Sequence, residues 1–173
     1  MTANVRHLLR GRGLSTARRV LLEGGLAPQS ARELTVPVPA TDGRPVVRML
    51  DVFLVRGGGD EIYAYENYCP HAGGPLNLLP DRFLSRDKKH ILCATHGAKF
   101  TIDDGVCVRG PCAGECLNAL PTEQSAAGDV SASERALEEL CEGGGGAFAS
   151  RWRLRVAEDA KTGKSEPGVR SRR

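Results

Sequence analysis

Aromatic residues are scarce in this chain: one Trp, three Tyr and four Phe among 173 residues. That shortage excludes a large core built on rings, and 21 glycines point instead to a loop-rich fold with a modest core. Long apolar runs are also missing. No stretch approaches the roughly 18 consecutive apolar residues of a membrane-spanning helix, so no membrane span is expected. Acidic residues are absent from residues 1–22, where five arginines stand (Arg6, Arg10, Arg12, Arg18 and Arg19). The length suits one compact domain.

The formal net charge of +3 is carried by the two ends. From Asp159 onward there are five basic and two acidic residues, which leaves fourteen basic and nineteen acidic residues between Glu23 and Glu158. The body is therefore mildly acidic, which argues against nucleic acid as its partner. The first stretch, "MTANVRHLLRGRGLSTARRVLL", is Arg-rich, acid-free and carries Ser and Thr, with Val5, Leu8 and Leu9 on one helical face. That composition predicts an organelle transit peptide over residues 1–30 and a mitochondrial matrix address. The alternative is a disordered basic arm on a bacterial protein, with a cytoplasmic address.

Beyond Ala31 the pattern changes. "LTVPVP" alternates like an edge strand whose prolines keep it from a sheet centre. "VVRMLDVFLVR" at 46–56, then "GGGD", then "IYAYE" at 62–66 predicts a hairpin. Further short strands are expected at 90–93, 99–102, 105–108, 116–120 and 152–156, with "DDG" as a turn. Many short strands without helical periods predict an all-β domain over residues 31–158, a small antiparallel sandwich or barrel. Residues 122–150 break the pattern, being rich in Ala, Ser and Gly. They are expected to be a flexible insertion holding one short helix, with a capping box at Ser131 and Glu134 and a face of Leu137, Leu140 and Cys141 closed by Gly143. Residues 159–173 read as a disordered tail.

The chemistry lies in two Cys–His pairs. "CPH" gives Cys69 and His71, and after 21 residues "CATH" gives Cys93 and His96. Two thiolates and two imidazoles suit zinc. A one-residue Cys–His spacing is unusual for structural zinc, however. It fits better a [2Fe–2S] cluster whose ligands divide as two Cys on one iron and two His on the other. Taken singly, a Cys in a β-protein is usually a small buried apolar residue. Four such residues in this joint pattern are not explained that way.

The segments "CPHAGGPL", "CATHGAKF" and "GVCVRGPC" resemble the Rieske iron–sulfur family, closely over residues 67–113 and in strand pattern over about 46–156. The resemblance is nearest to Rieske-type ferredoxins. It implies an all-β fold of Rieske type with a cluster-binding loop subdomain at 67–113. It also implies one [2Fe–2S] cluster per chain, with Cys69 and Cys93 on one iron and His71 and His96 on the other. Gly73, Gly74 and Gly97 would let backbone N–H groups approach the cluster. Gly110 and Pro111 would form a third, covering loop. The spacer "DRFLSRDKKH" reads as a surface elaboration. High-potential members carry a disulfide between the cluster loops and hydroxyl groups on a Ser and a Tyr after the second His. Here the matching positions hold Gly74, Thr95, Ala98 and Phe100, which implies a potential near the bottom of the Rieske range.

The function implied is single-electron transfer between a reductase and an acceptor such as an oxygenase. Alternatives are a non-catalytic small subunit of a multi-chain oxidoreductase and a structural or sensory metal-binding module. An oxygenase acting alone would need a mononuclear iron site, and only His7 and His90 remain as histidines. His90 reads as a surface residue. Cys107, Cys112, Cys116 and Cys141 could form a second metal site or a disulfide framework, and in a reducing compartment free thiols are expected. Lys88, Lys89 and Lys99 form either a solvated face or a docking patch for an acidic redox partner.

Overall fold

The computed structural model describes residues 19–38 and 48–142. The arm before Arg19, the strand expected at 152–156, the Gly143 stop and the tail lie outside the described residues. Among those described there are nine strands and one helix, in three small antiparallel sheets. None of it is a helix long and apolar enough to cross a membrane.

The central sheet has the order β2–β3–β4, from Ser30–Val38, Arg48–Arg56 and Ile62–Glu66. β3, "RMLDVFLVR", sits in the middle because both of its faces are apolar. Leu50, Val52 and Leu54 point into one cluster, and Phe53 and Val55 into another. This is the two-residue period of a strand buried on both sides. β2 lies at the edge, as its Pro37 requires. Arg56 closes the β3–β4 turn: its Nε donates to the Gly59 carbonyl at 2.8 Å, and its Nη2 meets Asp60 at 2.6 Å.

A second sheet, order β1–β9–β8, is built from Arg19–Gly24, Asp129–Ser133 and Thr122–Gln124. It differs from the sequence expectation in two ways. Thr122–Gln124 and Asp129–Ser133 are strands rather than the opening of an insertion, and Arg19–Gly24 is a strand rather than part of an arm. In β9, "DVSAS", the alternation is short, but Val130 and Ala132 are both buried. Such small residues are a weak signal by composition, yet β1 and β8 pair on either side of them. Helix α1, Glu134–Glu142, follows directly. Its cap is Ser133, whose Oγ accepts the Ala136 N–H at 3.1 Å, and not Ser131, which is paired inside β9. Ala136, Leu137 and Leu140 are buried, with Cys141 packed beside them.

The third sheet, order β5–β6–β7, comprises Ile91–Leu92, Lys99–Phe100 and Cys107–Arg109. The strand expected at 116–120 reduces to isolated bridges, Val106 with Cys116 and Tyr65 with Ala119. The latter, with Leu120 N–H donating to Ala64 O at 2.9 Å, ties the third sheet's end to β4.

Candidate metal centre

Cys69 and Cys93 each open a tight loop, and the two loops close in the same way. In the first, Gly73 N–H donates to Cys69 O at 2.9 Å, and Cys69 N–H donates to Gly74 O at 2.8 Å. In the second, Gly97 N–H donates to Cys93 O at 2.9 Å, and Cys93 N–H donates to Ala98 O at 2.9 Å. Gly73 and Gly97 occupy equivalent places with φ of 66° and 72°, a left-handed turn that a side chain would strain. The loops are joined where Ala94 N–H donates to Leu76 O at 2.7 Å.

This closure sorts the side chains. Cys69 and Cys93 are buried, at 0% and 1% exposure, whereas His71 and His96 are exposed. The two imidazoles meet edge to face with ring centroids 4.9 Å apart. Burial is the main cause that pushes the Cys69 thiol above its ordinary value, and a hydrogen bond with Cys93 pushes the same way. Backbone N–H groups of Ala72 and His71 donate to the Cys69 sulfur and pull in the opposite direction. The structure thus brings all four sequence-derived residues together on two adjoining loops, as a sulfur pair inside and an imidazole pair outside. Among the described residues, no group of three or more His, Cys, Asp or Glu side chains is already placed to hold a metal ion.

The first loop rests on a buried polar network that the sequence reading missed. Asn67 Nδ2 donates to Glu33 Oε1 and to Asn77 Oδ1, both at 2.8 Å, while its Oδ1 accepts the Leu76 N–H at 2.9 Å. Asn77 Nδ2 donates to Glu33 Oε2 at 2.9 Å. Loop residues 69–76 are thereby bracketed by two asparagines held on one carboxylate of β2. Asn67 and Asn77, flanking the "CPH" loop, were the only available signal; Glu33 is 34 residues from Asn67 in sequence.

The spacer is not wholly a surface elaboration. Phe83 is fully buried and stacks on Phe53 at 4.1 Å between centroids, with planes 7° apart. Leu92 N–H donates to Phe83 O at 2.7 Å, so the ring's backbone borders Cys93. His90 is half-buried rather than at the surface, and its Nδ1 is shielded from water without a hydrogen-bond partner. Lys88 and Lys89 are exposed and line an open cleft together with Asp60, Glu61 and Asp103, so that face is mixed in sign. Lys99 is half-buried and registers with Arg109.

The third loop lies against the second. A Cβ on Gly110, whose φ is 122°, would stand 2.7 Å from Ala98 Cα. Only glycine allows that approach. Beside it Cys107 and Cys112 are both buried, with sulfurs 3.3 Å apart. Burial, then hydrogen bonding with Cys107, raises the Cys112 thiol.

An all-β domain that ends in two matched Cys–His loops under a glycine-bearing third loop defines a class of iron–sulfur protein. The model of the Rieske [2Fe-2S] domain matches residues 35–124, and the chain belongs to that family. The family implies a [2Fe–2S] cluster and makes this chain an electron-transfer module. No curated protein matches the sequence. Among solved structures, a quaternary ammonium Rieske monooxygenase is similar at 20% identity and a TM-score of 0.45, over 74% of this chain and 34% of that one. The soluble domain of Rieske protein II from Sulfolobus acidocaldarius is similar at 18% identity and a TM-score of 0.41, over 60% of this chain and 69% of that one. A complex of oxygenase and ferredoxin in carbazole 1,9a-dioxygenase contains a chain similar at 22% identity and a TM-score of 0.41, over 60% of this chain and 29% of that one. The chain spans about a third of the length of the monooxygenase.

Proposed function

We propose that Cys69 and Cys93 bind one iron, and His71 and His96 the other, of a single [2Fe–2S] cluster per chain, and that the protein carries single electrons between a reductase and an acceptor such as an oxygenase. The observation that carries this reading is the pairing of like with like: sulfur beside sulfur in the interior, imidazole against imidazole at the surface. That division is the one a Rieske [2Fe–2S] cluster uses, with two Cys on one iron and two His on the other. When bound, such a cluster supplies a centre that accepts and releases one electron. The chain's own residues do the rest. The buried cysteines keep water from the sulfur side. Ala72 and His71 N–H groups stabilise negative charge on sulfur. The exposed imidazoles provide the short route to a redox partner.

The test is substitution with a spectroscopic readout. Cys69→Ala, His71→Ala, Cys93→Ala and His96→Ala should each abolish or severely deplete iron, with loss of the brown colour and of the paramagnetic signal of the reduced protein. Full iron content and an unchanged spectrum in Cys93→Ala would overturn the assignment. A colourless protein carrying zinc would overturn the cluster itself.

We also propose that the Arg-rich arm directs import into mitochondria and is cut off ahead of β1, since Leu22 and Leu26 belong to the core. A fusion of residues 1–35 to a fluorescent protein tests it. Diffuse cytosolic fluorescence with an intact N-terminus would exclude this address.

A further inference from the structure

Cys107 and Cys112 lie outside the four proposed ligands, and neither loop closure uses them. Their sulfurs are nonetheless 3.3 Å apart, and each residue is only 2% exposed. The backbone sets this up. Cys107 N–H donates to Glu115 O at 2.7 Å, Gly114 N–H donates to Cys107 O at 2.9 Å, and Glu115 N–H donates to Cys112 O at 2.9 Å. The chain therefore turns back at residues 110–115 and lays Cys112 beneath Cys107. Val108, Arg109, Gly110 and Pro111, between them, are all exposed. A disulfide needs a sulfur separation of about 2.0 Å, so the gap closes with a shift of roughly 1.3 Å.

We propose that Cys107 and Cys112 form a reversible disulfide that staples the third loop over the second, made and broken by exchange with a small-molecule disulfide and thiol of the glutathione class. One cysteine loses its proton and attacks a sulfur of the small disulfide. A mixed disulfide forms and one small thiolate leaves. The second cysteine, also deprotonated, displaces the other small thiolate and closes the Cys107–Cys112 bond. The two cysteines lose two electrons in total. The small disulfide gains them and leaves as two thiols, which take up the two protons. The consequence is local. The staple holds Gly110 against Ala98, two residues beyond His96, and fixes one wall of the second site loop.

Arg109 makes the proposal easy to read. The full chain with its cluster, purified without oxygen, is equilibrated with oxidised or with reduced glutathione. Free thiols are then blocked by alkylation and the protein is digested with trypsin. In the reduced sample, cleavage after Arg109 separates peptide 100–109, with Cys107, from peptide 110–135, with Cys112 and Cys116. In the oxidised sample the two should stay joined, lighter by two hydrogens than their sum. The joined species should vanish in Cys107→Ser and in Cys112→Ser and persist in Cys116→Ser. Separate, alkylated peptides after oxidised glutathione would overturn the proposal. So would a joined species that survives Cys112→Ser, since Cys116 would then be the partner.

Discussion

The two hydrophobic clusters of this protein share one central sheet and are built from different materials. The cluster on one face, under β1, β9 and α1, contains only Leu, Val, Ile and Ala as buried members. The cluster on the other face holds Phe53, Tyr65, Phe83 and Phe100 together with Cys69, Cys93, Cys107 and Cys112. β3 and β4 divide between them residue by residue: Leu54 and Ala64 go one way, Phe53 and Tyr65 the other. The difference teaches where rigidity is placed. Branched aliphatic chains fill space in many ways and tolerate repacking. Rings have few rotamers and large contact faces, so the stacked Phe53 and Phe83 hold the spacer, and through it Cys93, in one position. Among the described residues, the buried rings Phe53, Tyr65, Phe83 and Phe100 all lie in the cluster that holds the site's cysteines.

Truncating each cluster separates their roles. Phe53→Ala should cost about 3–5 kcal/mol and lower iron content as well, because the loss of the Phe83 stack loosens the strand beside Cys93. Leu137→Ala, under the helix, should cost about 2–5 kcal/mol yet leave iron content per folded protein unchanged. Urea unfolding with iron analysis of the folded fraction checks both. Equal iron loss in the two variants would erase the distinction.

The contact between the third and second loops comes next in size. Gly110→Ala places a methyl carbon 2.7 Å from Ala98 Cα at a φ of 122°. Strain and overpacking should together cost about 1–3 kcal/mol. The change should appear as a lower urea midpoint and as faster tryptic cleavage after Arg109. The same tight packing sharpens the expectation about potential. Ala98 and Phe100 are buried at 1% and 0% exposure and bring no hydroxyl to the site. With fewer hydrogen bonds to offset negative charge, the midpoint should fall near the bottom of the Rieske span of about −150 to +300 mV. Redox titration followed by paramagnetic resonance measures it, and a midpoint well above about +100 mV contradicts the argument. Ala98→Ser should raise it if Gly110 yields room for the hydroxyl.

The smallest effect is at high pH, at the rim of the aromatic cluster. The Tyr63 phenol donates to the Glu61 carboxylate, and this bond, helped by partial burial, pushes its pKa from 10.0 up to about 12. The folded protein then keeps a proton that the unfolded chain releases. The stability this contributes is complete below about pH 10 and is lost as pH rises toward about 12. Tyr63→Phe should flatten that part of the stability profile, and urea midpoints measured across that range check it.

Sequence alone determined the elements with strong local signals. The β3–β4 hairpin, the edge position of β2 and the apolar face of α1 follow from alternation, proline and helical spacing. The four candidate ligands were legible because donor type and spacing are chemical facts of the chain. What only tertiary structure decided depends on residues far apart in sequence. β1 and β9 are too plain in composition to announce themselves: β1 is defined by its pairing with β9, and β9 by its pairing with β1 and β8. Phe83 looked like part of a surface spacer until Phe53, 30 positions earlier, gave its ring a partner. Glu33 shows no sign of its role without the two asparagines that fold onto it. Cys107 and Cys112 read as two of several thiols, and the turn at 110–115 made them a pair. Covalent chemistry and local backbone preference are written along the chain, whereas contact is a property of the folded surface.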